Sequence, residues 1–423
     1  MGGVAVGKRP RHAFVSHAHV DRERADQLVG WLKEVAGVPV WYDSFDLPPG
    51  AIIEEVLPDA IESSRSMILL LSKESVARGW VQQEYRAAMN HQTKHRSFRL
   101  IPVRLDDVDP PGFLQNYSHV TLPPEGLDPA SAAGILKGLY QPFTSIDAVN
   151  GRNVFVSRGW HPGDVQLAER VGLTLKEAGL QLIGDAQDQS SWVESRISQA
   201  LAGCGAFVAV LPHRPTEPHR TSKYTLREWE LAVARGLPCL VVPDPRVQLP
   251  PDLAARPGVV TIDADDDSDP GRLTDAAVSL AEDWTTPASS PYVFYATDFG
   301  APGTAMRNWV KDLVEAITTL PCVLGEYVGG QVVQRDILQA VTRSTMVLAN
   351  ISGESPNVYI EVGAACGADV PVFLLRSGPP GRPTFMLRDR QVWDYENDAD
   401  LLGRVTKIVY PYRRTFLSPE RLS

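Results

Sequence analysis

Short apolar runs alternate with longer amphipathic stretches in the N-terminal part of the chain. The apolar runs have the length of buried strands, and they lie at His12–Ser16, Val38–Tyr42, Ser66–Leu71 and Arg99–Val103. The stretches between them space their apolar residues as helices do, and they lie at Asp21–Val35, Ile52–Ser63 and Val81–His91. Strands that alternate with amphipathic helices predict βαβ units and a parallel sheet.

The same alternation begins again twice further along the chain. The second copy has strand-like runs at Asn153–Ser157, Gly179–Ile183, Ala206–Leu211 and Leu237–Val242, with helix-like stretches at Val165–Ala178 and Leu226–Ala232. The third copy has strand-like runs at Tyr292–Ala296, Thr345–Ala349 and Val370–Leu375, with a helix-like stretch at Asn357–Ala364. A supersecondary pattern that recurs in this way predicts repeated structural units.

One spacing supports the repeat. A phenylalanine in each first strand precedes a glutamate in a later helix by 70 residues for Phe14 and Glu84, 73 for Phe155 and Glu228, and 67 for Phe294 and Glu361. We therefore predict an α/β protein of three tandem Rossmann-like units with parallel sheets. Linker-type residues cluster at 140–151 and 265–291, which places the units at 1–145, 146–286 and 287–423.

Composition narrows the choice of partner. The chain has 423 residues and a net charge of -10, which argues against binding long DNA or RNA, since that requires a basic face. A small basic pocket for one short anion remains compatible with this charge. The 4 cysteines have no CxxC spacing, so we expect neither a disulfide framework nor a metal site. No apolar run approaches the about 20 residues of a membrane span, and we expect a cytoplasmic protein without a membrane partner.

Six short motifs occur in order in the first unit. They are Phe14-Val-Ser16, Trp41-Tyr-Asp43, Leu47-Pro-Pro-Gly50, Ser64-Arg65, Leu71-Ser72 and Trp80-Val-Gln-Gln-Glu84. In this order they resemble the motifs of the TIR domain family, over roughly residues 9–140. TIR domains are either adaptors without catalysis or enzymes that cleave NAD+. The Trp-x-x-x-Glu motif with an intact Glu84 resembles the enzymatic group, in which this glutamate is the catalytic residue.

The chemistry of NAD+ is compatible with a single carboxylate. Its ribose is joined to a cationic pyridinium, so nicotinamide departs as a neutral molecule and needs no general acid, whereas an ordinary glycoside requires an acid and a second carboxylate. Glu84 would stabilise the oxocarbenium-like centre or attack it. NAD+ would then be a substrate, and no cofactor is expected. The structural alternative for Glu84 is a carboxylate that the helix dipole favours near a helix N-terminus.

Five further residues of the first unit are candidates for contact with NAD+. Ser16 and His17 end the first strand, at the carboxyl edge where ligands of open parallel sheets bind. Phe45 lies in the long loop after Asp43, and its ring could stack on the nicotinamide or adenine ring. Trp80 begins the motif that contains Glu84; its alternative role is to pack the start of the helix.

The second and third units lack these TIR motifs. Two Rossmann-like units in tandem behind an effector resemble SAVED, a fusion of two CARF-like halves that senses cyclic oligonucleotides. The whole chain is thus similar to the TIR-SAVED effectors of bacterial anti-phage (CBASS) systems. This resemblance implies activation by a cyclic oligonucleotide, with cyclic tri-adenylate as the expected ligand. It also implies a homo-oligomer in which TIR domains align, and head-to-tail repetition of one contact gives an open filament.

A cyclic oligonucleotide requires cations or backbone amides for its phosphates and aromatic or hydroxyl groups for its bases and riboses. Candidate residues follow the first and fourth strands of each unit or lie near the ends of later strands. They are Arg158, His213, Arg214, Lys223, Thr297, Asn350, Ser352, Arg376, Arg388 and Trp393.

Two other functions remain open from the sequence. The first is a non-catalytic TIR adaptor joined to two sensor or scaffold units. The second is a nucleoside-processing enzyme, because the segment Asn357-Val-Tyr-Ile-Glu-Val-Gly363 also resembles nucleoside deoxyribosyltransferases, in which the glutamate, here Glu361, is a nucleophile. The structural alternative for this segment is close packing of a helix against a strand at Gly363 and Gly367.

Overall fold

The computed structural model describes residues 11–42, 60–77, 80–95, 98–140, 151–184, 192–256, 258–261, 270–287, 291–298, 303–325, 333–378, 387, 390–413 and 415–416. These residues form three five-stranded sheets. The expected α/β class with three parallel-strand units is confirmed.

The first sheet contains β1 (Arg11–Ser16), β2 (Val40–Trp41), β3 (Ser64–Leu71), β4 (Arg99–Arg104) and β5 (Val120–Thr121). Its order is β2-β1-β3-β4-β5, and all neighbours are parallel. Its helices are α1 (Arg22–Gly30), α2 (Lys73–Ala77), α3 (Trp80–Lys94) and α4 (Pro129–Tyr140). A π-helical turn at Trp31–Val35 continues α1.

The second sheet contains β6 (Asn153–Ser157), β7 (Gln181–Gly184), β8 (Ala206–Leu211) and β9 (Cys239–Pro243), and its fifth strand is β15 (Thr415–Phe416). Its order is β15-β7-β6-β8-β9, with only β15 antiparallel to its neighbour. Its helices are α5 (Val165–Glu177), α6 (Glu194–Ala202), α7 (Lys223–Ala234), α8 (Pro251–Ala254) and α9 (Pro270–Glu282).

The third sheet contains β10 (Val293–Ala296), β11 (Cys322–Leu324), β12 (Met346–Asn350), β13 (Val372–Ser377) and β14 (Val392–Tyr395). Its order is β11-β10-β12-β13-β14, with every pair parallel. Its helices are α10 (Thr304–Thr318), α11 (Val333–Arg343), α12 (Pro356–Gly367) and α13 (Asp398–Val409).

The central strands are buried on both faces, which explains why they read as continuous apolar runs. In the second sheet, Val208 faces a core that α5 and α9 cover with Leu175 and Leu273. Its neighbour Phe207 faces the opposite core, to which α6 and α7 contribute Leu201 and Trp229. The sheet thus separates two apolar layers.

The first four strands of all three sheets share one order, and only the position of the fifth strand differs in the second sheet. In each of them the second strand lies outside the first, and the third and fourth follow on the other side. In every unit, the second and third strands are thus added on opposite sides of the first strand, so the strand order reverses between the first and third strands. Ligands of open parallel sheets bind at this point, outside the carboxyl ends of the strands. The fold itself places three equivalent candidate crevices along the chain.

Packing divides the chain into two compact units that do not follow the sequence order. One unit comprises Met1–Phe143 and Tyr292–Tyr410, and the other comprises Thr144–Pro291 and Pro411–Ser423. The first and third sheets thus lie in the same unit. The predicted domain boundaries stay predictions, although part of the predicted junction at 265–291 is helix α9, with Leu273 and Ala277 fully buried.

Among the helices that the structure describes, none combines the length and the apolar character that a membrane span requires.

Candidate functional site

Polar side chains surround the carboxyl edge of the first sheet. Ser16 ends β1 and is buried, with 3% of its surface exposed. Ser72 follows β3, and its hydroxyl donates to Oδ2 of the buried Asp21 at 2.8 Å. Removal from water raises the pKa of the Asp21 carboxyl. Ser72 also accepts from the backbone N–H of Ser75 at 3.1 Å, which fixes it at the start of α2.

Tyr42 holds His17 at the same edge. The Tyr42 hydroxyl donates to Oδ1 of Asp26 at 2.7 Å and lies 3.4 Å from Nε2 of His17. The two rings also contact each other, with centroids 5.1 Å apart. Because the hydroxyl proton points to Asp26, an Nε2–H of His17 would donate to the Tyr42 oxygen. Asp26 on α1 thereby orients both rings.

The structure describes no side chain for the other residues expected at the NAD+ site. Asp43 and Phe45 lie outside the described residues. Trp80 is the first residue of α3 and Glu84 the fifth, and their side chains also lie outside the described part of the chain.

A shared helical pattern nevertheless constrains the register of Glu84. The segments Glu84-Tyr-Arg-Ala-Ala88, Glu228-Trp-Glu-Leu-Ala232 and Glu361-Val-Gly-Ala-Ala365 occupy the helix after the third strand of each sheet. Each contains a glutamate four residues before an alanine, and all three alanines are fully buried. In α7 and α12 the glutamates are buried as well. Glu84 therefore occupies the register position of two buried carboxyls.

Those two carboxyls have different surroundings. Glu228 accepts a hydrogen bond from Nε1 of Trp192 at 2.8 Å. Glu361 lies on the buried stripe of α12 beside Val358, Val362 and Ala365. Burial alone raises the pKa of Glu361 to about 7. Glu228 and Glu361 are thus both removed from water, but among the described residues only Glu228 has a hydrogen-bond donor beside its carboxyl.

In the second sheet, Arg158 follows β6 and is 8% exposed. Its Nη1 and Nη2 atoms are buried and have no hydrogen-bond partner among the described residues, and the same is true of Oγ of Ser157. The guanidinium carbon lies 4.1 Å from the centroid of the Trp160 ring, and Nε donates to the carbonyl of Gly159. Burial lowers the pKa of Arg158 to about 10.

Asp164, the carboxylate that most affects the charge of Arg158, is already paired with another arginine. Arg214 Nη1 donates to Asp164 Oδ1 at 2.8 Å, and its Nη2 pairs with Oδ2. The backbone N–H of His161 donates to the same carboxylate at 3.1 Å. This pairing raises the pKa of Arg214. Arg158 therefore keeps two buried donors for which the described residues provide no acceptor, and such donors are rare in folded proteins.

The other candidates of the second unit, His213 and Lys223, have separate surroundings. His213 follows β8, and its carbonyl accepts from Arg214 at 3.1 Å. Lys223 begins α7 and lines a cavity of about 410 Å³ together with His219 and Trp229. Its ammonium lies 5.2 Å from the centroid of the Tyr224 ring.

Two candidates of the third unit, Asn350 and Ser352, meet at the Tyr395 hydroxyl. Nδ2 of Asn350 donates to the Tyr395 hydroxyl at 3.0 Å, and Oγ of Ser352 lies 3.0 Å from that hydroxyl. Ser352 also donates to Oδ1 of Asn350 at 2.6 Å. Thr297 follows β10 and is buried, with its hydroxyl 3.5 Å from the Asp298 carbonyl. We call Asn350, Ser352 and Tyr395 the Tyr395 cluster.

The last three candidates lie on or after β13 and β14. Arg376 donates to Oδ1 of Asp394 from Nε at 2.9 Å and from Nη2 at 2.6 Å. Nε1 of Trp393 is buried without a hydrogen-bond partner among the described residues. Arg388 lies outside the described residues. Arg376 thus already has an acidic partner, whereas the described part of the chain provides no acceptor for Trp393.

Sequence reasoning missed Tyr42, Trp160, Asp164 and Tyr395. Each supports a candidate residue through a contact that the sequence does not show. Only Tyr42 had an available signal, because it lies inside the Trp-x-Asp motif.

Comparison with known proteins identifies the family of the N-terminal sheet and its helices. Residues 13–134 match the family model described as TIR domain. The N-terminal part of the chain is therefore a TIR domain. One curated relative is "NAD(+) hydrolase PdTIR" of Paracoccus denitrificans (strain Pd 1222), which is 31% identical over 94 residues. The match covers 22% of this chain and 31% of the relative, so the chain spans about a third of the length of that relative.

Two solved structures show weaker similarity. The TIR domain of the Toll-related receptor TRR-2 from Hydra magnipapillata has 21% identity and a TM-score of 0.24, covering 26% of this chain and 83% of that one. A dinucleotide-forming acetyl-coenzyme A synthetase 1 of Ca. Korarchaeum cryptofilum, in complex with phosphate and ADP, has 13% identity and a TM-score of 0.19, covering 95% of both chains. Both TM-scores are too low to bear on the fold or the function.

The raised pKa of Glu361 predicts a pH-dependent stability. The carboxyl stays protonated in the folded protein up to about pH 7, whereas it ionises near its ordinary value of 4.5 in the unfolded chain. Its contribution to stability is present below pH 4.5 and is lost as the pH rises to about 7. The melting temperature of Glu361→Gln should therefore rise relative to that of the wild type as the pH goes from 4.5 to about 7. Above about pH 7 the difference between the two melting temperatures should stay constant. The exposed Glu282→Gln is the control; equal pH profiles for all three proteins would contradict the assignment.

Proposed function

We propose that this protein is an NAD+ glycohydrolase, in which Glu84 of the TIR domain cleaves the bond between nicotinamide and ribose. The observation that carries the proposal is the TIR match over residues 13–134, with the Trp-x-x-x-Glu motif intact. The similarity to a relative named NAD(+) hydrolase supports it. NAD+ acts as the substrate, and the reaction requires no metal.

The register position of Glu84 suits this chemistry. A carboxylate that acts on an oxocarbenium-like centre is more effective where water is excluded, because the local dielectric is low. Burial raises the pKa of the equivalent Glu361 to about 7. In the TIR domain, the positive pyridinium and ribose of bound NAD+ would supply the opposite charge that keeps Glu84 ionised.

The other expected contacts surround the same edge of the sheet. Ser16 would donate its hydroxyl to the dinucleotide, and His17 would approach it with a ring that Tyr42 orients. Asp43 and Phe45 follow Tyr42 in the sequence, and they are proposed to contact the dinucleotide from the loop after the Trp-x-Asp motif. Trp80 would cover the start of α3.

Glu84→Gln tests the catalytic role. The amide keeps the shape of the side chain and removes its negative charge, so nicotinamide release from NAD+ should fall by about a hundredfold or more. Release is measured by chromatography with the full chain, with and without cyclic tri-adenylate. The exposed Glu125→Gln should retain wild-type activity. A TIR adaptor would release no nicotinamide in any of these proteins, and equal activity of Glu84→Gln and the wild type would exclude Glu84.

We further propose that a cyclic oligonucleotide, cyclic tri-adenylate, switches this activity on by binding to the part of the chain that follows the TIR domain. The buried Arg158 with two unpartnered donors is the observation that favours an anionic ligand. A phosphate oxygen would accept from Nη1 and Nη2, and Oγ of Ser157 lies at the end of the same strand. His213, Arg214, Lys223, Thr297, Asn350, Ser352, Arg376, Arg388 and Trp393 are the further candidate contacts.

Arg158→Met separates a ligand contact from a structural arginine. The substitution keeps a long apolar stem over Trp160 and removes a buried charge without a hydrogen-bonded acceptor, so the melting temperature should not fall. Affinity for cyclic tri-adenylate, measured by calorimetry, should fall about tenfold or more, since a charge-assisted contact is lost. The exposed Arg272→Met is the matched control. A lower melting temperature with unchanged affinity would mean that Arg158 is structural.

Activation would proceed through assembly. Constant depletion of NAD+ would kill the host, so the activity requires a switch, and an abortive anti-phage response fits such an enzyme. Copies joined head to tail by one repeated contact form an open filament that aligns their TIR domains. Light scattering should therefore show large particles on addition of cyclic tri-adenylate. A protein that cleaves NAD+ with this ligand while it remains monomeric would contradict the assembly model.

One observation favours a second candidate function. Glu361 is buried, its pKa is raised to about 7, and it begins the pattern shared with Glu84. A nucleoside-processing enzyme would use this carboxyl as a nucleophile on a ribosyl carbon. In that case Glu361→Gln, rather than Glu84→Gln, would abolish release of a base.

A further inference from the structure

The TIR domain and the third Rossmann-like unit share an extensive contact within one compact unit. On the TIR side it is formed by α4 and the π-helical turn Trp31–Val35, and on the other side by α10 and α13. We call this contact the seam. Lys137 of α4 donates to Oδ2 of Asp312 of α10 at 2.6 Å. Leu401, Leu402, Val405 and Val409 of α13 are fully buried.

The π-helical turn is the unusual element of the seam. Such turns hold one extra residue, are rare, and often occur at functional sites. Here the Ala36 N–H donates to the carbonyl of Trp31 at 3.1 Å, and the Val38 N–H donates to that of Leu32 at 2.8 Å. Leu32 is fully buried between these bonds. The turn therefore needs support from outside α1 to persist in place of a regular helix.

Three residues on one face of α13 provide this support. Oδ1 of Asp400 accepts from Nε1 of Trp31 at 3.1 Å. Gly403 allows close approach, because a Cβ there would lie 2.9 Å from Cγ1 of Val35 and 3.0 Å from the Trp31 ring. Nζ of Lys407 donates to the carbonyl of Glu34 at 3.2 Å. The spacing of three and four residues puts all of these contacts on one side of the helix.

The same helix begins beside the candidate ligand residues of the third unit. Tyr395 ends β14 and belongs to the Tyr395 cluster, and Asn397 caps α13 by accepting from the Asp400 N–H at 3.0 Å. Arg404 donates to the Asp394 carbonyl at 3.1 Å, and Lys407 stands over the Trp393 ring at 5.9 Å. The first three turns of α13 thus contact both the candidate ligand strand and the π-helical turn.

On the TIR side, the turn leads into the candidate substrate edge. It is followed by β2 and then by Tyr42, which orients His17. A change in helical register at Trp31–Val35 would displace the start of β2, since a π-turn and a regular turn differ by one residue. Asp43 and Phe45 come next in the sequence.

We propose that the seam is the regulatory coupling between the two sites: a ligand at the Tyr395 cluster and Trp393 shifts α13, and α13 resets the π-helical turn and with it the substrate edge of the TIR domain. This inference rests on the proposed function for the identity of the two sites. Coupling requires that the ligand bind one position of α13 more tightly than the other, because a ligand with equal affinity for both shifts nothing.

Two variants test the coupling in the full chain. Trp31→Phe removes the hydrogen bond to Asp400 and keeps an aromatic ring, so it is the mild change. Gly403→Val fills the contact with Val35 and Trp31, so it is the strong one. In both, cyclic tri-adenylate should bind with wild-type affinity, whereas its stimulation of nicotinamide release should fall about tenfold. The exposed Lys176→Met, on α5, should leave binding and stimulation unchanged.

Hydrogen exchange gives a readout that does not depend on catalysis. In the wild type, cyclic tri-adenylate should change the amide exchange of residues 31–41, and both variants should abolish this change. If residues 31–41 respond but no protein releases nicotinamide, the proposed enzymatic function fails while the coupling stands. If exchange at 31–41 is unchanged by the ligand, or if both variants retain full stimulation, the coupling is overturned.

Discussion

A strand that is buried on both faces can offer polar chemistry only at its ends, and this constraint governs all three sheets. Every residue of β8 is buried, with Phe207 and Val208 facing opposite apolar layers. Helices must therefore cover both faces, and polar side chains are confined to the carboxyl edge. Ser16, Ser157 and Thr297 lie there at or just after the first strand of each unit. The three candidate crevices follow from burial before any ligand is considered.

One register position of this common plan has different surroundings at Glu228 and at Glu361. The helix after the third strand carries a glutamate four residues before a buried alanine in all three units. Glu228 is tied to the Trp192 indole, and Glu361 has only apolar neighbours on its stripe and a pKa near 7. A desolvated carboxyl must find a donor, take up a proton or meet a cation. The proposed reaction gives Glu84 the third of these, because its substrate carries the positive charge.

Elements that depend on local apolar pattern were predictable. Asn153–Ser157 and Ala206–Leu211 agree with the observed strands residue for residue, and the TIR assignment came from short motifs. The π-helical turn could not be predicted, because Trp31–Val35 continues the apolar spacing of α1. The bond from Trp31 to Asp400 joins residues 369 apart and leaves no local trace. The burial of Arg158 was equally hidden, since a charged residue after a strand is normally solvated and only the fold removes it from water.

The first compact unit is discontinuous in sequence, and this affects how it can form. Its N-terminal sheet is synthesised long before α10 and α13, which complete the seam, and β6 to β9 of the second sheet lie between them. During synthesis the π-helical turn and α4 have no partner, and the contacts that close the seam are among the most non-local in the chain. Non-local contacts form slowly because their closure entropy comes first. Every strand of the TIR sheet is therefore synthesised before the helices that complete the seam, so the seam can close only after β6 to β9 of the second sheet have been made.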